Sequence, residues 1–175
     1  MKKIILTVFA ASSLLLYSTP SFALLSVSVG VPVSQTPEEC EGTCETDSLS
    51  GYFLGVQLPF ALGLGIDNIK HKSKGDTLAG VIDIYNIFYQ LPIPVINLIF
   101  GLGVGSISVE GDGSEDWGKG SASQWYTSIG FPIMPLFDIH LSYRSITSKE
   151  MKWKSNGEKI KNNATVMGAG FSIGF

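Results

Sequence analysis

Beyond residue 48, three long stretches of this chain carry no charge at all, yet proline and glycine interrupt each of them. They run from Leu49 to Ile66, from Ile84 to Val109 and from Gly120 to Phe137, with Pro59, then Pro92 and Pro94, then Pro132 and Pro135 inside them. A hydrocarbon layer selects for charge-free length of this kind, but the punctuation excludes helices. Residues 91–105 read LPIPVINLIFGLGVG, and a proline inside a helix costs about 3 kcal/mol. What the stretches do show is alternation with a period of two, the repeat of a strand whose side chains point to opposite faces. The charges gather between them, in Glu38–Asp47, Lys70–Asp76, Glu110–Lys119 and Lys149–Lys161.

The alternation predicts eight strands, at residues 24–34, 50–58, 61–72, 79–90, 95–109, 121–132, 136–147 and 163–175. Their lengths are near the roughly 9–11 residues that a tilted strand needs to cross a bilayer. Three tight proline-bearing turns alternate with longer polar connections, the asymmetry of bacterial outer-membrane barrels. An open edge in hydrocarbon would leave amides and carbonyls unpaired at several kcal/mol each, so the sheet must close on itself. The expected fold is therefore all-β, an eight-stranded antiparallel transmembrane up-and-down β-barrel.

Reading alternate residues assigns the two faces. Strand 1 presents Leu25, Val27, Val29 and Val31 to lipid, strand 2 Tyr52, Leu54, Val56 and Leu58, and strand 5 Ile96, Leu98, Phe100, Leu102 and Val104. In strand 7, Phe137, Ile139, Leu141 and Tyr143 oppose Asp138, His140, Ser142 and Arg144. The inward set is rich in glycine and adds a polar network of Gln57, Asp67, Asp83, Tyr85, Gln124, Tyr126, Asp138, His140 and Arg144. A charge in such an interior must be paired or hydrated, and Asp83 is the expected partner of Arg144. Outward aromatics are expected in two bands, Tyr52, Trp125 and Tyr143 toward the long loops and Phe88, Phe131, Phe137 and Phe175 toward the turns. The same reading sets Asn86, Asn68 and Lys70 on the lipid side, where they fit poorly.

The first residues read as an export signal. Met1-Lys2-Lys3 precedes an apolar run from Ile4 to Leu16 and the small residues Ser21 and Ala23, so residues 1–23 are expected to be a cleaved signal peptide and 24–175 the barrel domain. Cleavage removes two of the 12 basic residues against 15 acidic ones, moving the formal charge from -3 to -5. So acidic a chain has no general attraction for nucleic acid. Export permits a disulfide, and Cys40 and Cys44, in an acidic segment, are expected to form one, with a metal pair as the alternative.

The closing segment Met167-Gly168-Ala169-Gly170-Phe171-Ser172-Ile173-Gly174-Phe175 alternates strictly and ends in phenylalanine. With it, the whole of residues 24–175 resembles the family of small outer-membrane barrels that includes the membrane domain of OmpA, OmpX and NspA. The resemblance implies the outer membrane of a Gram-negative bacterium, with long loops extracellular and both mature termini periplasmic. It implies lipid and lipopolysaccharide as surroundings, and Phe171, Ile173 and Phe175 as a signal read by the barrel-assembly machinery. It implies no cofactor and no resident metal.

The activity is open at this level. A structural or surface-interaction role without turnover is the first expectation, with an extracellular or periplasmic protein partner that the sequence does not identify. His140-Leu141-Ser142 places a base and a hydroxyl on one face of one strand, the minimum for acyl transfer. This resembles the His-x-Ser element of outer-membrane lipid A deacylases, although Tyr143-Arg144 follows where that family usually has asparagine after the serine. A lipid A-modifying acyl hydrolase is thus one alternative and a narrow pore past the glycines another. The acidic run Glu110–Asp116 suggests loose calcium binding but lacks regular ligand spacing. The lysines of 149–161 are suited to lipopolysaccharide phosphates.

Overall fold

The structure, a computed structural model, describes residues 25–38, 46–73, 78–91, 93, 96–111, 114, 118–134, 136–149, 151–152, 159–160 and 163–175. The proposed signal peptide lies outside them.

Eight long strands form one closed barrel: β1 (Ser26–Pro37), β2 (Thr46–Gln57), β3 (Leu62–Ser73), β4 (Ala79–Leu91), β5 (Asn97–Glu110), β6 (Gly120–Met134), β7 (Phe137–Ser148) and β10 (Ala164–Gly174). Each pairs antiparallel with its sequence neighbour, and β1 closes on β10. Leu25 and Phe175 exchange backbone hydrogen bonds of 3.3 and 2.8 Å at the seam. A two-stranded ribbon, β8 (Met151–Lys152) with β9 (Lys159–Ile160), stands in the β7–β10 connection.

Register fixes where each residue stands along the cylinder. Direct partners followed once around read Ser26, Gln57, Gly63, Phe88, Gly101, Tyr126, Arg144, Val166 and Gln35. The circuit thus climbs nine residues of β1, one of which belongs to the bulge between Pro32 and Ser34. Each step to the next strand therefore rises by about one residue toward the long loops. On that count Tyr52, Tyr85, Trp125 and Tyr143 come to one level of the outer wall, and the Trp125 and Tyr143 rings lie 5.5 Å apart. Four amphipathic rings in one belt mark the upper headgroup level.

With a rise of about 3.4 Å and a tilt near 40°, each residue gains about 2.6 Å along the axis. From Trp125 down to Met134, the end of β6, is then about 24 Å, the height of the apolar band of such barrels. The exposed Ile133, Met134 and Leu136 of the β6–β7 turn complete this band, which accounts for a turn so apolar. Above the belt the strands continue for five or six more residues, from Tyr52 to Thr46 and from Tyr85 to Ala79. The barrel wall thus stands out of the lipid as a collar.

The collar corrects one expectation. In β4 the inward residues are Ile82, Ile84, Asn86 and Phe88, all buried, while Asp83 is half-buried on the outer wall and Tyr85 is 66% exposed there. Asp83 and Tyr85 are not part of the interior, Asn86 does not face lipid, and Phe88 does not belong to the outer aromatic band. The cause is the change of surroundings along the strand. Above the belt the outer wall meets water, so Asp83 points out and the isoleucines fill the lumen. There Asp83 Oδ1 accepts from Asn68 Nδ2 at 2.6 Å, and Lys70 Nζ pairs with Glu110 Oε2 at 2.6 Å.

The disulfide expected between Cys40 and Cys44 is not upheld; both cysteines lie outside the described residues.

Candidate functional site

The lumen carries the polar chemistry of the molecule, in three tiers. The lowest, at the turn end, is uncharged apart from Asp138. Gln90 Nε2 donates to Asn97 Oδ1 at 2.7 Å, Asn97 Nδ2 to Asp138 Oδ2 at 2.7 Å, and Ser172 Oγ to the same oxygen at 3.2 Å. Alongside, Ser26 Oγ donates to Gln57 Oε1 at 3.5 Å. Asp138 is held by β5 and β10 and makes no contact with Arg144 in this tier.

The middle tier, level with the aromatic belt, is an ion pair. Arg144 Nε donates to Asp67 Oδ2 at 3.0 Å, and the two residues are 5% and 2% exposed. Asp67, not Asp83, is therefore the partner. Gln124 Nε2 donates to Asp67 Oδ2 at 2.6 Å and to Asn86 Oδ1 at 2.9 Å, joining β3, β4, β6 and β7 across the interior. The guanidinium lies between two rings, 3.6 Å from the centroid of Phe53 and 4.6 Å from that of Tyr126. Stacking on aromatic faces suits a planar, weakly hydrated cation. Arg144 Nη1 and Gln124 Oε1 find no protein partner. A cavity of about 50 Å³, bordered by Ser28, Ser128, His140, Ser142 and Arg144, lies below. That is room for one or two waters, the usual partners of such groups.

The upper tier is largely apolar, with Gln35, His71 and Ser148 as its polar members. Ile69, Ile82, Ile84, Ile107, Ile146 and Val166 are fully buried, packed with Phe53 and Ala122, and Met151 of the β8 ribbon lies over them. This tier fills the collar and closes the lumen toward the long loops.

His140 and Ser142 both line the lumen wall, and Ser142 is buried. Gly168 and Gly170, opposite them on β10, leave the space they occupy: a Cβ at Gly168 would stand 2.8 Å from Ser142 Oγ, and one at Gly170 2.5 Å from His140 Nε2. The backbone cylinder separates the pair from lipid, so an acyl chain outside cannot reach the hydroxyl. Among the described residues no three His, Cys, Asp or Glu side chains gather to hold a metal ion. Most of the Glu110–Asp116 run lies outside the described residues. Phe171 and Ile173 project outward from β10 beside Val29 and Val27.

Sequence reasoning missed Asn86 and the isoleucine tier. Asn86 had a signal: it stands between Gly65 and Gly103 on the adjacent strands, and a side chain at Gly103 would collide with the Asn86 amide. Two glycines flanking one polar residue mark the side that is short of room.

No protein-family model matches the chain, and no curated protein matches it in sequence. Solved structures do match in shape. The crystal structure of neisserial surface protein A aligns with a TM-score of 0.64 at 13% identity, over 86% of this chain and 96% of that one. The N-terminal β-barrel domain of Pseudomonas aeruginosa OprF gives 0.55 at 12% identity, over 86% and 97%. Outer membrane protein W of E. coli gives 0.50 at 9% identity, over 88% and 98%. The fold is that of the small eight-stranded outer-membrane barrels.

Proposed function

We propose that this chain is an integral outer-membrane protein that serves as a rigid, sealed scaffold for surface interaction and performs no turnover. The observation that carries this reading is the packed isoleucine cluster above the aromatic belt. A transport path would need water there, and a hydrolase would need its nucleophile on the lipid side. A collar five or six residues tall with a packed interior instead holds four loops clear of the headgroups, where they meet lipopolysaccharide or a protein partner. In this reading residues 1–23 are removed on export, residues 24–175 form the mature barrel, and both termini lie in the periplasm. The outward phenylalanines of the last strand serve the barrel-assembly machinery, and lipid and lipopolysaccharide surround the wall.

The test is purified mature protein in a planar bilayer, alongside cells expressing loop-tagged protein. Silence in the bilayer together with surface exposure of a tag in the β7–β10 connection supports the reading. Sustained channel openings, or a tag hidden in intact cells, refutes it.

A further inference from the structure

We propose that the outer wall carries a seat for one acyl chain of an outer-leaflet lipid, in a slot crossing β3 to β6; this rests on the membrane reading above. Two rows of outward side chains cross these strands as direct partners. The upper row is Leu64, Ile87, Leu102 and Trp125, and the lower is Leu62, Tyr89, Phe100 and Thr127. Between them runs the inward row Gly63, Phe88, Gly101 and Tyr126, which offers only backbone to the outside. The Tyr126 ring lies directly behind Gly101, where any Cβ would collide with it. The result is a depression of about 460 Å³ between Leu62, Ile87, Tyr89, Phe100, Leu102 and Trp125, floored by Gly101.

Three features name the occupant. The lining holds no charged side chain, so it offers a phosphate no counter-charge. The slot spans three strand spacings, about 14 Å at about 4.8 Å each, so its form is that of a chain and not of a ring. Because partner rows climb one residue per strand, the slot rises from Leu62, low in the apolar band, to Trp125 in the belt. Its upper end therefore opens at the outer headgroup level and its lower end is buried in hydrocarbon. A chain hanging from an outer-leaflet head group follows that incline. Within lipid there is no hydrophobic gain in filling the slot, so the seat acts through close dispersion contact.

The test uses the mature chain in phosphatidylcholine vesicles whose chains are brominated midway, with Trp117→Phe and Trp153→Phe leaving Trp125 as the reporter. Quenching of Trp125 establishes insertion, and its absence would overturn the membrane reading itself. The barrel is then moved to mild detergent and its mass measured intact. One retained lipid is expected for the parent and for Leu141→Trp on β7, outside the slot, and none for Ile87→Trp, which fills the slot. No lipid on the inserted parent, or equal retention by Ile87→Trp, would overturn the proposal. So would a dimer of the barrel that Ile87→Trp disperses, which would assign the slot to a second copy.

Discussion

Replacing Asp67 by alanine would strip the middle tier of its only anion and leave Arg144 charged and buried. Asp67 accepts from Arg144 Nε, from Arg144 Nη2 at 3.5 Å and from Gln124 Nε2. Breaking a buried pair by removing one partner costs about 3–5 kcal/mol, because the remaining charge is uncompensated. The Phe53 and Tyr126 faces soften this by about 1–2 kcal/mol through cation–π attraction, so Asp67→Ala is expected to lose about 3 kcal/mol. Urea titration of the refolded barrel, followed by tryptophan fluorescence, reads the loss as a lower midpoint at unchanged slope. Asp67→Ala with Arg144→Leu should recover most of it, since an apolar replacement of the whole pair is often neutral. Asp83→Ala removes only an exposed-wall hydrogen bond to Asn68 and should cost under about 1 kcal/mol. Equal losses for Asp67→Ala and Asp83→Ala, or a double variant as weak as the single, would refute the pairing.

Other variants probe the neighbouring tiers. Ile107→Ala, in the collar and outside the hydrocarbon, should cost about 2–5 kcal/mol by the same titration, as in the core of a water-soluble protein. Gly101→Val should cost about 1–3 kcal/mol or more by driving into the Tyr126 ring, and Tyr126→Ala should partly restore it. His140→Ala and Ser142→Ala should leave lipid A acylation in expressing cells unchanged on mass spectra. A Ser142-dependent loss of one acyl chain would revive the hydrolase. Mass spectrometry of the mature chain should find Leu24 at its N-terminus, and retention of residues 1–23 would overturn the export reading.

Much of this fold is legible in the sequence because lipid and lumen make opposite demands on alternate residues. In β2, β5, β7 and β10 the outward set is large and the inward set small or polar over most of the length, so parity alone assigns the faces. β4 defeats that rule. Its residues Val81, Asp83, Tyr85, Ile87 and Tyr89 oppose Ile82, Ile84, Asn86, Phe88 and Gln90, and both sets contain bulky apolar and polar members. The rule assumed that oil lies outside along the whole strand, which fails above the belt. The early start of β2 was hidden for the same reason: Thr46-Asp47-Ser48 reads as loop, yet it pairs with β3 where the wall is in water. The Asp67–Arg144 pair joins β3 to β7, which are not neighbours in the barrel. Such a contact follows from the stagger of the cylinder, which no single strand reveals.

The claim on which all else depends is that β1 and β10 meet and close the cylinder with the stated register. Amide-to-amide nuclear Overhauser effects on perdeuterated protein in detergent micelles test it directly. Contacts across the seam are expected at the Val29–Phe171 and Val31–Ala169 positions, together with slow amide exchange along both strands. An absence of seam contacts with rapid exchange on β1 and β10 would contradict it, as would contacts displaced by one residue, which would turn the oily face inward.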